Sequence, residues 1–217
     1  MADEWYRDPR WSKAVEEEFE RRLARARVDN RPQYLRIKAL ALLENGGAKE
    51  RAVARGLLLR VLGDYDDPLN SFDFLIARER LAELDAADGA LDEAEAQYRA
   101  AIQLSSESNV RGEAPLALAE LLIRRGGTDR LAEAQEILDG EDAADLTFKV
   151  QRFRYSVCKA RIAAMNGDTD EAATHAITAL REASTTAPDF PRHPDIGHVR
   201  ADESLVRELK RLAQDRS

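Results

Sequence analysis

Residues 192–198, Arg-His-Pro-Asp-Ile-Gly-His, hold two of the chain's three histidines, His193 and His198, with Asp189 and Asp195 close by. Imidazole and carboxylate together are the ligand types of zinc and similar divalent metals. A metal-dependent hydrolase or other enzyme would therefore be centred on 189–198. The spacing matches none of the short metal-binding patterns, and Pro191 and Pro194 give the segment the composition of a stiff connector. His175, the third histidine, falls in a helical stretch without an acidic partner placed as in a triad. Cys158, beside Val157 in the middle of a helical stretch, reads as a small apolar filler. There is no phosphate-cradling glycine loop, GxGxxG, HExxH or GxSxG nucleophile elbow. Glu16, Glu17 and Glu18 read as solvated helix-face partners of Arg21 and Arg22. No catalytic residue, metal or cofactor is expected, and the chain is expected not to be an enzyme.

Residues of this kind need elements to position them, and composition says which. Of 217 residues, 44% are apolar and 34% charged, while aromatics make up only 6%, so Leu, Ala, Ile and Val must form the core. Ala, Leu, Glu and Arg are strong helix formers. A net charge of −8 opposes phosphate backbones, so nucleic acid is not an expected partner. A single cysteine excludes an internal disulfide. The polar start lacks a secretory pattern, and no apolar run approaches the roughly 18 residues of a membrane span. A cytoplasmic protein with no membrane partner is expected.

Apolar positions recur at helical spacing along nearly the whole chain, and no alternating strand pattern competes with them. The first helix is expected over Pro9–Ala26, capped by Asp8 with Pro9 at its first position. Further helices are expected over about 31–43, 48–62, 69–87, 90–104, 112–125, 129–138, 145–166, 169–185 and 203–214. Short Gly-, Asn- and Asp-containing links make neighbours pair as hairpins. One all-α domain, 1–217, is expected: an N-terminal cap (1–30), helix pairs (31–185), then a connector and C-terminal cap helix (186–217).

The pairs repeat. Gly89 leads into Leu-Asp-Glu-Ala, Tyr98 and Ala101; Gly167 leads into Thr-Asp-Glu-Ala, Ala176 and Ala179. Gly126-Gly127 and Gly46-Gly47 precede weaker copies. Aligning Ala52, Ala94, Ala134 and Ala172 gives spacings of 42, 40 and 38 residues. Upstream sit the small pairs Leu81-Ala82 and Leu118-Ala119, and Ala160 alone. Small residues let helices approach closely, as stacked hairpins require.

The run from Leu81-Ala82 through Gly89, Ala94, Tyr98 and Ala101 resembles the tetratricopeptide repeat family, with the Gly167–Ala179 copy next and two degenerate copies beside them. The chain departs from the pattern at Arg78, where the first helix carries an early aromatic, and at Ser106, where a proline is usual. The resemblance implies a helical-hairpin solenoid, a right-handed superhelix of about four pairs with capping helices. Trp5, Trp11 and Phe19 would plug the first end. Leu205, Val206, Leu209 and Leu212 would cap the last or form a homodimer contact. It also implies a non-catalytic adaptor that binds a protein or peptide in a groove lined by the first helix of each pair. The groove positions would be Arg36 and Leu40, Glu79 and Glu83, Glu120 and Ile123, and Arg154, Val157 and Arg161. A regulator that changes curvature on peptide binding is the related alternative.

Overall fold

Three helix starts in this chain are set by N-cap side-chain oxygens that satisfy otherwise unpaired first N–H groups. Ser12 Oγ accepts from Val15 N at 3.3 Å, Asp168 from Glu171 N at 2.9 Å, and Asp202 from Leu205 N at 2.8 Å. Two stops are glycines in the left-handed region, Gly89 at φ 84° and Gly167 at φ 82°, which close their helices without a Cβ clash. The resulting elements, in a computed structural model that describes residues 4–141, 146–185, 189–190 and 197–215, are α1 (Lys13–Arg25), α2 (Arg31–Asn45), α3 (Ala48–Gly63), α4 (Ser71–Asp88), α5 (Leu91–Ser108), α6 (Ala114–Arg125), α7 (Thr128–Asp139), α8 (Lys149–Asn166), α9 (Thr169–Ser184) and α10 (Glu203–Gln214). Short 3₁₀ turns cover Trp5–Arg7, Val28–Asn30 and Pro68–Asn70. Among the described residues there is no strand, and no helix is long and apolar enough to cross a membrane.

The first helix begins four residues later than its sequence suggests. Asp8 does not cap it, because its carboxylate is taken by Arg10, whose backbone N, Nε and Nη2 donate at 3.0, 2.9 and 2.8 Å. That bond from the Arg10 side chain, helped by the nearby Lys38 charge, lowers the Asp8 carboxyl to about 2. Ser12 takes over the cap.

Contacts within the chain divide it into two compact units, Met1–Ala114 and Pro115–Ser217. In the first, α2 folds back on α3 and α4 on α5, and α4 packs against both helices of the preceding hairpin. Phe19, Leu35, Leu42, Leu58, Val61, Leu81 and their neighbours form its core. An aromatic cluster closes the N-terminal side: Trp5 meets Phe19 and Tyr34, Tyr6 stacks on Tyr34 at 4.9 Å, and Trp11 meets Phe19. In the second unit α8 folds back on α9, and α10 packs against both. Phe153, Val157, Ala160, Ala176, Ala179, Leu209 and Leu212 are buried together there. The last helix thus covers its apolar stripe with its own chain.

Burial refines the repeat read from the sequence. Ala94, Ala134 and Ala172 are buried as their alignment implies, but Ala52 is exposed and the buried alanine of α3 is Ala54. Four positions after these alanines come the buried Leu58, Tyr98, Leu138 and Ala176. In the helices before them, Ala39, Ala82, Ala119 and Ala160 are all buried, and each lies seven positions before its turn glycine, Gly46, Gly89, Gly126 or Gly167. The residue preceding that alanine is leucine in α4 and α6 but a buried lysine, Lys38 or Lys159, in α2 and α8. Lys159 is neutralised by Asp139 Oδ1 at 2.8 Å.

Candidate functional site

In the first unit the charged side chains of the candidate face are largely paired within the molecule. Arg36 Nε lies 2.6 Å from Asp73 Oδ1, with both side chains 12% exposed. Its guanidinium also sits over the ring of Phe72, 5.0 Å from the centroid. Phe72 and Leu69 beside it are exposed, Leu69 to 86%. Leu40 is half-buried, and Glu83 is exposed and bound to Arg80 Nη1 at 2.6 Å.

Glu79 is not a surface position, and its place in a partner groove is corrected. It is 3% exposed, and its Oε1 accepts from the backbone N–H of Glu113 at 2.6 Å and of Ala114 at 2.8 Å. Burial raises the carboxyl above its ordinary value, and those two N–H bonds oppose the rise. Its carboxylate is a buried cap on the start of α6. Ile123 is likewise corrected: it is buried, as is Val157, and both pack instead of lining a surface.

The second unit brings four of the charged residues into two bidentate pairs. Arg154 on α8 donates from Nε and Nη2 to the two carboxylate oxygens of Glu120 on α6, at 2.7 and 2.8 Å. Arg161 donates in the same fashion to Glu208 on α10, at 2.8 Å for both bonds. Fork-to-fork bonds of this kind are charge-assisted and fix orientation. The bond to Glu208 raises the Arg161 pKa and that from Arg161 lowers the Glu208 carboxyl. Arg154 and Arg161 are seven residues apart, two helical turns, which puts their stems on one face about 10 Å apart. Glu208 was not among the residues the sequence singled out. Its signal was the polar edge of the Leu205–Leu209–Leu212 stripe, which becomes informative only once α10 is known to pack on α8.

Cys158 lies between these two arginines along the helix and is buried. Burial pushes its thiol far above the ordinary range, with the Glu120 charge adding to the effect. The native protein is therefore expected to react with a thiol reagent at pH 8 at least 100-fold more slowly than denaturant-unfolded protein. A native rate close to the unfolded one would show that this part of α8 opens freely.

Asp189 and Phe190, ahead of the histidines in sequence, pack on the start of α8. Asp189 Oδ2 accepts from the N–H of Lys149, the first residue of α8, at 3.0 Å, and Phe190 packs on Phe148 with ring centroids 5.7 Å apart. His193 and Asp195 lie outside the described residues. Among the described residues, no three of His, Cys, Asp and Glu converge as a metal-binding set. His175 is partly buried and 3.7 Å from Glu171, and burial lowers its pKa. Comparison with protein-family models, with curated proteins and with solved structures finds no match, so the reading of the site rests on its own geometry.

Proposed function

We propose that the chain is a tetratricopeptide-like helical repeat protein that works as a non-catalytic cytoplasmic adaptor, binding a protein or peptide segment on its first-helix faces. The observation that carries this reading is the pair of guanidiniums on α8, both bonded to carboxylates of neighbouring helices. Arg154 and Glu120, and Arg161 and Glu208, are partly exposed. Ion pairs of that exposure contribute about 0–1 kcal/mol. A partner carrying its own carboxylates can exchange with Glu120 or Glu208 at little cost, and two anchors at fixed separation then select for spacing as well as charge. The recurrent buried alanines and their seven-residue offset to a turn glycine support the repeat reading on which the groove rests.

The test is affinity capture with cross-linking mass spectrometry from the native cell, comparing wild type with the Arg154→Ala/Arg161→Ala variant. Substitution of Arg21 and Arg22, which pair with Glu18 on α1, serves as the control. The double variant on α8 is expected to lose a cross-linked partner at least 10-fold, and the α1 control to retain it. Equal retention by both variants would remove the α8 face as the binding surface.

A further inference from the structure

Within the first unit, a cavity of about 330 Å³ lies between the end of α3, the turn after it, α4 and α5. Leu62, Tyr65, Phe74 and Leu104 supply apolar wall, and Arg78 reaches it from α4. The cavity's volume falls in the range of small-molecule sites, roughly 300 Å³ and upward, and Gln103 and Glu107 complete a wall that is polar as well as apolar.

Arg78 differs from most of the other partly buried arginines. Arg36, Arg55, Arg60, Arg152, Arg154 and Arg161 each meet a carboxylate, at Asp73, Asp85, Glu20, Glu182, Glu120 and Glu208 respectively. Arg78 meets none among the described residues. Its one hydrogen bond goes from Nη1 to the neutral Oε1 of Gln97 at 3.1 Å. That amide orients the guanidinium without cancelling its charge. Burial lowers the Arg78 pKa. Folding has thus placed a partly buried guanidinium, with no carboxylate bonded to it among the described residues, at the wall of a cavity of mixed lining.

We propose that this cavity binds an organic carboxylate, its anionic end paired with the Arg78 guanidinium and its apolar body lying among Tyr65, Phe74 and Leu104. A guanidinium matches a carboxylate as a two-bond fork. The remaining polar wall tells against a more highly charged anion. Glu107 lines the same cavity, and its carboxylate, which accepts from Gln103 Nε2 at 3.0 Å, repels phosphate more than it repels a monovalent acid. The dimensions fit one flat or branched apolar group, from a free small acid or from the last residue of a peptide. The site is independent of the partner face on α8, and its test reads different residues.

The test is a titration of isotope-labelled full-length protein followed by amide NMR shifts, with phenylacetate, neutral phenylacetamide and inorganic phosphate as probes. A short glycine peptide ending in phenylalanine, with free or amidated C-terminus, separates the two carboxylate sources. Phenylacetate is expected to shift Leu62, Tyr65, Ala100 and Leu104 saturably, with phenylacetamide and phosphate at least 10-fold weaker. The peptide series assigns the source: preference for the free C-terminus over both the amide and phenylacetate identifies a chain end, and preference for phenylacetate a free acid. Arg78→Met is expected to weaken phenylacetate at least 10-fold while leaving Tm unchanged or raised by about 2–4 °C, because it removes an unpaired charge. Absence of saturable shifts up to 20 mM phenylacetate, equal binding of acid and amide, or a fall in Tm of more than about 4 °C in Arg78→Met would each overturn the proposal. The last result would make Arg78 part of the scaffold.

Discussion

Glu79→Ala is expected to destabilise the protein by about 3 kcal/mol, whereas Glu79→Gln is expected to cost about 1 kcal/mol, because a buried donor left without an acceptor loses about 1–3 kcal/mol. Two donors depend on this one oxygen, the N–H groups of Glu113 and Ala114. The neighbouring chain is shaped around it: a Cβ on Gly112 would stand 2.3 Å from Glu79 Oε1 and 2.9 Å from Leu75 Cδ2. Alanine at 79 removes the acceptor and leaves a void, while glutamine keeps a carbonyl oxygen in its place. The two variants also separate charge from hydrogen bonding. Burial raises the folded-state pKa of Glu79, so the native state holds its proton to higher pH than the unfolded chain does. For a carboxyl shifted in this direction, stability is gained as pH falls through the raised pKa and lost as pH rises through it. Wild type should therefore gain on Glu79→Gln between pH 7 and pH 5, although other carboxylates lower the absolute stability of both. Urea unfolding of the three proteins at the two pH values measures this. Equal costs for alanine and glutamine would show that the carboxylate is not what secures the start of α6.

Glu79 also marks where sequence reasoning stops. Periodicity and turn residues were sufficient for the helices, because amphipathic spacing and capping chemistry are local. The ten helices described lie within four residues of where apolar spacing puts them, and at α1 the shift arises because Arg10 captures the expected cap Asp8. Local pattern was less exact about which alanine is buried. Ala52 follows Gly46-Gly47 with the right neighbours, yet α3 turns Ala54 inward, together with Leu57, Leu58 and Val61. The direction of a polar side chain was beyond it. Glu79 and Glu83 sit one turn apart on α4, but one is buried against residues 113–114 and the other is exposed beside Arg80. The pairs Arg36–Asp73, Arg154–Glu120 and Arg161–Glu208 each join residues 34 to 47 positions apart. No helical period encodes such a pairing, and only the packing of helices distant in sequence brings the partners together.

Lys38→Ala is expected to cost about 3 kcal/mol and to release the N-terminal segment, since hydrogen bonds from a charged group contribute about 1.5–3 kcal/mol and truncating a buried long side chain leaves a cavity. Sequence position makes this lysine an ordinary polar residue of α2. In the fold it is fully buried at the place where α4 and α6 carry leucine. Its ammonium donates to the carbonyl oxygens of Asp8 at 2.6 Å and Arg10 at 3.2 Å, and lies 5.2 Å from the ring centre of Trp11. The segment that crosses above α2 is thus tied down from beneath through its backbone, and burial lowers the lysine's pKa against the pull of Asp8. For a base shifted in this direction, its charge is a liability at neutral pH that eases as pH rises through the lowered pKa. Lys38→Met removes that liability along with the tether, and fills the space, so it is expected to cost only about 1 kcal/mol, in line with volume-conserving core changes. The readout is clean because the chain's two tryptophans, Trp5 and Trp11, both belong to this segment. In Lys38→Ala their emission should shift to the red and become open to acrylamide quenching before the helical signal melts. Lys38→Met separates the causes: early exposure in both variants assigns the hold to the two carbonyl bonds, and exposure in the alanine variant alone assigns it to filled volume beneath Trp11 and Phe19. Emission unchanged in both would mean that the aromatic contacts of Trp5, Tyr6 and Tyr34 hold the segment without the lysine.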